Sequence, residues 1–262
     1  RATQTDALVL GLLLGIVGAT FAFAAALAAL LRRPEFFGYM AFAATSAIYV
    51  VVSSGFARLW LGADLAFHVD AKTSLILSGA PVLISAVWLL RPLLRVPEVD
   101  PGADRILRGV MVAAALAMLS PWMPPGIALP VQGLAWGLAP LVVLMVLGRL
   151  WWAGARHATT ILLGWGIGLI AAVYLYLRSI GAVPSHAIEP LLGPLVCTAA
   201  ALCFAHALAE TLRETEWKAQ TDPLTGLWNR SWLASRAQAE LARCRRRGAT
   251  LSVGVFDADF FK

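Results

Sequence analysis

The stretch Ala7–Leu31, ALVLGLLLGIVGATFAFAAALAALL, runs for 25 residues without a charge and stops at Arg32 and Arg33. A hydrocarbon core of about 30 Å takes about 20 apolar residues of helix to cross, so the segment reads as a membrane span. Working outward, six more stretches have the same character. They lie at about Phe36–Phe56, Thr73–Leu94, Ile106–Met123, Leu129–Trp152, Ala158–Leu177 and Ile188–Leu208. The fourth is the weakest, because Pro121, Pro124 and Pro125 crowd its end. Proline lacks an N–H and disfavours helix in the residue before it. Pro81, Pro140, Pro190 and Pro194 fall inside spans or at their edges, where kinks are tolerated. The expected fold is an all-α membrane protein, a bundle of seven transmembrane helices.

Composition agrees. The 262 residues are 60% hydrophobic and 14% charged, and the mean hydropathy is +0.75. A soluble domain carries about 45–50% apolar and about 25% charged residues. An ordinary cytosolic globule is excluded, and so is disorder. Cys197, Cys203 and Cys244 are too few and too scattered for a disulfide-stapled secreted module. The net charge of +6 divides into +4 over residues 1–208 and +2 over residues 209–262. No lysine-rich or aromatic-interleaved basic stripe is present, which argues against nucleic acid as a partner.

An odd number of spans puts the termini on opposite sides, and the basic residues choose which. Arg32, Arg33, Arg91, Arg95, Arg105, Arg108, Arg149 and Arg156 fall in one set of connections, and Arg1, Arg58, Lys72 and Arg178 in the other. The richer set belongs in the cytoplasm. That places the N-terminus outside and the C-terminus inside, as in a multi-pass membrane protein. Trp60, Trp122, Trp151 and Trp152 lie near span ends, where interfacial tryptophans belong.

The spans are poor in chemistry. Lys72, Lys218 and Lys262 all lie away from span centres, so a retinal Schiff base has no lysine, and no Asp or Glu sits at mid-span. Intramembrane charges mark ion paths and proton relays, so a pump or ion-coupled transporter is disfavoured. Arg58, Arg91 and Arg178 lie near ends and can reach the interface. His68 and His186 belong to outer connections, His157 stands beside Arg156, and His206 precedes Glu210 by four residues. None has the close second His or Cys a metal site needs. Cys197 and Cys203 point to different helix faces and read as packed apolar residues. Cys244 stands among Arg243, Arg245, Arg246 and Arg247.

Past Leu208 the composition changes. Residues 209–220, AETLRETEWKAQ, are charged and free of Gly and Pro, so the seventh helix should continue as a stalk able to pair with a second copy. Then comes Thr221-Asp222-Pro223-Leu224-Thr225-Gly226-Leu227-Trp228-Asn229-Arg230. Pro223 should end the stalk, and Gly226 offers a position tolerant of positive φ. Asn229 should cap a helix over about Arg230–Arg247, and Gly248 should stop it. The alternation of Leu251, Val253 and Val255 predicts a strand over Thr250–Asp257. It runs into Asp257-Ala258-Asp259-Phe260-Phe261-Lys262, whose carboxylates at a strand end suit a hard cation such as Mg²⁺.

The run DPLTGLWNR, the arginine-rich helix and the closing DADFFK together resemble the opening of a GGDEF domain, the α/β catalytic module of diguanylate cyclases. The likeness covers about Ala219–Lys262. The seven spans, with GFARLWL after the second, resemble the bacterial seven-transmembrane receptors with diverse intracellular signalling modules. The resemblance implies three parts: a sensor over 1–208, a signalling helix over 209–220 and the truncated start of the GGDEF domain over 221–262. It implies a receptor whose complete form condenses two GTP into cyclic di-GMP with Mg²⁺ or Mn²⁺. Asp257 would then be the side-chain metal ligand, and Ala258, where the family usually has a bulkier aliphatic residue, would offer its carbonyl. The amides of Phe260, Phe261 and Lys262 would face the phosphates. Asp222, Leu224, Thr225, Asn229 and Arg230 would be structural. Two such domains would meet in a homodimer through stalk and cyclase domain. The signature loop and every other catalytic residue lie beyond Lys262 on this reading, so the chain is expected to be an inactive fragment. The alternative is a receptor with a degenerate GGDEF domain that binds nucleotide or regulates a downstream domain. A histidine-kinase output is disfavoured, since no histidine lies between Glu210 and Lys262.

Overall fold

A computed structural model describes residues 4–53, 71–179, 182–184 and 189–254. They form long helices: α1 (Gln4–Leu31), α2 (Pro34–Ser53), α3 (Ala71–Leu93), α4 (Pro101–Ala117), α5 (Pro125–Gln132), α6 (Ala139–Trp152), α7 (Ala158–Ser179), α8 (Glu189–Gln220) and α9 (Arg230–Arg247). Between α5 and α6, Gly133–Leu138 is a π-helix, so the two make one rod, Pro125–Trp152. The chain divides into two units, Arg1–Ala209 and Glu210–Lys262.

Among the described residues, five helices are long and apolar enough to cross a membrane: Gly11–Leu30, Pro34–Ser53, Ile76–Leu93, Pro125–Trp152 and Leu191–Gln220. The protein is a multi-pass membrane protein. Two expected spans depart from their reading. The fourth is the helix Pro101–Ala117 rather than Ile106–Met123. It starts early because the Asp100 carboxylate accepts from the Ala103 N–H at 2.9 Å with Pro101 in the first turn. It stops early because a 3-10 turn over Ser120–Trp122 and then Pro124 interrupt the ladder. Its 17 residues rise about 26 Å, short of the hydrocarbon thickness. The sixth is helical over Ala158–Ser179, but its described apolar part is only Ala158–Ala171.

Several polar side chains in the first unit bond between helices or back onto their own. Tyr39 Oη on α2 donates to the Ala201 carbonyl on α8 at 3.1 Å, and Phe42 meets Phe204 edge-on at 5.1 Å in the same seam. Thr45 and Ser85 share a hydrogen bond of 2.8 Å between α2 and α3. Ser85 also donates to the Pro81 carbonyl at 2.7 Å. Trp165 Nε1 on α7 donates to the Pro140 carbonyl on α6 at 3.1 Å. Such bonds are what fixes helix pairing in lipid, where burying apolar surface between helices gains little over the acyl chains.

Candidate functional site

Two constructions carry side-chain chemistry. The first ties α3, α4 and α6 together in the connections expected on the inner side. Asp104 is buried on α4, its side chain 4% exposed. It accepts from Arg91 Nε at 2.5 Å and Arg91 Nη2 at 3.2 Å, and from Arg108 Nε at 2.8 Å. Beside it, Arg149 Nη2 at the end of α6 donates to Asp100 Oδ2 at 2.7 Å. The Asp100 carboxyl is held below the ordinary carboxylate range by the Ala103 N–H first and by Arg149, with burial opposing. The expectation that Arg91 simply reaches the interface is corrected here: it is paired.

The second is the junction that closes α8, within the second unit. Helix α8 continues to Gln220 and then breaks before Pro223. Asp222 Oδ1 accepts from the Leu224 N–H at 3.1 Å, the Thr225 N–H at 3.0 Å and the Thr225 hydroxyl at 3.0 Å. These bonds lower its carboxyl, the Thr225 N–H contributing most. The backbone closes the same turn: the Gly226 N–H reaches the Asp222 carbonyl at 2.9 Å and the Asp222 N–H reaches the Leu227 carbonyl at 2.7 Å. Gly226 takes φ of 70°, which a side chain would resist. Asn229 then works in both directions. Its Nδ2 donates to the Ala219 carbonyl at 2.7 Å, satisfying the end of α8. Its Oδ1 accepts from the Trp232 N–H at 3.0 Å, capping α9. Gly248, at φ 62°, closes α9. One ten-residue turn therefore fastens the outgoing helix to the incoming one.

Of the residues named from sequence, the structure brings Asp222, Thr225 and Asn229 together here. Leu224 lends its N–H with its side chain 93% exposed, and Arg230 begins α9. Asp257, Ala258, Phe260, Phe261 and Lys262 lie outside the described residues, as do His68 and His186. The expected strand is corrected over its described part: residues 250–254 are not extended into a ladder. A strand exists through its partner's hydrogen bonds, and no neighbouring strand is present among the described residues. Among these residues no three His, Cys, Asp or Glu gather into a metal-binding group. Cys197 is buried beside Val50 with Tyr49 and Val82 around them, and Cys203 packs against Gly164.

Sequence reasoning missed three things. A tryptophan stack braces the junction: Trp217 meets Trp228 edge-on at 4.9 Å, and Trp228 stacks on Trp232 at 4.4 Å. The four-residue spacing of Trp228 and Trp232 was a usable signal. Arg32, Arg95 and His157 take positive φ, each in a short connection between helices, and nothing in their side chains announces it. The Asp104 pair was hidden by starting the fourth span at Ile106, five residues after the helix begins at Pro101.

The chain is similar to diguanylate cyclase DgcP of Pseudomonas aeruginosa, with 47% identity over 58 residues, 22% of this chain and 9% of that protein. It thus spans under a tenth of the relative's length. No solved structure matches. The family described as 7TM diverse intracellular signalling matches residues 6–211, nearly the full extent of the first unit. The chain belongs to the 7TM diverse intracellular signalling family.

Proposed function

We propose that the chain is the sensing and coupling part of a bacterial inner-membrane receptor whose complete form condenses two GTP into cyclic di-GMP. The observation that carries this is the junction. A span helix that runs on as a stalk ends in the hydrogen-bonded turn of DPLTGLWNR, at the place where a GGDEF domain would begin. The likeness to a diguanylate cyclase supports it. On this reading the seven segments all cross, the N-terminus is outside and the C-terminus is cytoplasmic. Asp257 and the Ala258 carbonyl are hard oxygen donors of the kind Mg²⁺ or Mn²⁺ takes. The bound cation would offset charge on the reacting phosphates. The amides of Phe260, Phe261 and Lys262 would orient GTP, since successive N–H groups at a turn form an anion cradle. The stalk residues 209–220 would pair with those of a second copy and present two GTP sites to each other.

The test is turnover of labelled GTP by the complete protein in proteoliposomes, with Asp257→Ala beside it. Cyclic di-GMP made by the parent and lost in the variant is the expected result. GTP bound without product by the parent favours the degenerate, nucleotide-binding receptor. Neither binding nor product overturns both readings.

A further inference from the structure

We propose that the π-helix Gly133–Leu138 is a register hinge that turns α6 and so makes or breaks the Asp100–Arg149 contact at the end of the bundle. A π turn holds one residue more than an α turn. If the segment anneals to α-helix, everything after it turns by one residue's share, about 100°, and advances about 1.5 Å. Leu138, Val142, Met145 and Val146 then take the places of Ala139, Val143, Val146 and Leu147, apolar for apolar, while Arg149 takes that of buried Leu150 at the helix end, where its long side chain can extend toward the interface. Gly148 takes the place of Arg149 opposite Asp100, and the ion pair of 2.7 Å is lost.

Four observations locate the hinge. Pro140 stands just past the segment and has no N–H to give to either register, so the ladder is already open where the shift must pass. Gly133 and Gly137 within the segment have no neighbour within 4 Å of a would-be Cβ, so the backbone is not held by packing there. Trp136, between them, lies so close to Gly79 of α3 that a Cβ at Gly79 would be 2.8 Å from the indole Cη2. Its Nε1 is buried without a hydrogen-bond partner. An orphaned donor in an apolar setting is costly, so the π state carries a penalty that the annealed state can relieve, while the Asp100–Arg149 pair and the Trp165 bond to the Pro140 carbonyl favour the π state. Opposed terms of similar kind are what a two-state element needs. The hinge does not depend on the output domain.

The experiment measures the distance between spin labels at Arg105→Cys on α4 and Trp152→Cys on α6. It uses the full chain in nanodiscs, with Cys197, Cys203 and Cys244 changed to Ala. Deleting Gly137 removes the extra residue and leaves α6 in its present orientation. Gly79→Ala pushes Trp136 out of its seat. The expected result is two distances in the parent, one in the deletion, and a rise of about fivefold or more in the second distance with Gly79→Ala. Should the deletion fail to fold, parent and Gly79→Ala decide between them. One distance in the parent, unchanged by Gly79→Ala, overturns the proposal.

Discussion

Replacing Asp104 by Ala should be among the most damaging single changes in the membrane unit. The carboxylate is 4% exposed, and its main partner Arg91 is 18% exposed. Removing it strands a guanidinium that cannot easily reach water. Breaking a buried pair from one side costs about 3–5 kcal/mol. The lower end, about 3 kcal/mol, applies here because the second partner, Arg108, is 62% exposed and rehydrates. Arg108→Ala should cost about 0.5 kcal/mol, as for an exposed pair. The assay is unfolding of the purified chain in mixed detergent and SDS micelles, followed by circular dichroism. A double-mutant cycle of Arg91→Ala with Asp104→Ala should give a coupling of about 2 kcal/mol. A coupling within about 0.5 kcal/mol of zero would refute the reasoning, and so would equal losses for Arg91→Ala and Arg108→Ala.

At the junction, Asp222→Ala removes the acceptor of three hydrogen bonds; limited proteolysis should then cut between Thr221 and Asn229 sooner than in the parent, and Asp222→Asn should recover part of the resistance. Trp228→Ala removes the middle ring of the stack, and the near-ultraviolet circular dichroism of the coupled indoles should collapse while far-ultraviolet helicity falls little. Gly248→Ala places a side chain at φ 62° and should destabilise the end of α9 by about 1 kcal/mol, read as faster amide exchange there. Maleimide reagents that do not cross membranes should reach Cys244 only from the cytoplasmic side of oriented vesicles; labelling from the outer side contradicts the orientation.

Much of this architecture is legible because lipid makes simple demands on sequence. A charge-free run such as Ala7–Leu31 has few alternatives to a spanning helix. The caps of α9 were equally readable, since Asn229 and Gly248 act on neighbours in the chain and need no tertiary context. What could not be read depends on distant partners. Asp104 announces nothing until α3 brings Arg91 against it. The π segment Gly133–Leu138 reads as ordinary apolar helix, because nothing in its own residues marks the extra one. The strand expected from Thr250 follows a true alternation, but alternation supplies only one side of a ladder. The candidate site divides the same way: the turn of Asp222 is local and legible, whereas the proposed metal site at Asp257 would be completed by residues elsewhere.

The most direct measurement is the cyclic di-GMP content of bacteria that express the complete protein, set against the same cells with Asp257→Ala at equal membrane abundance. The account predicts at least about a hundredfold less synthesis in the variant, the size of effect typical when a charge-stabilising group is removed from an active site. Equal levels in the two strains would contradict it.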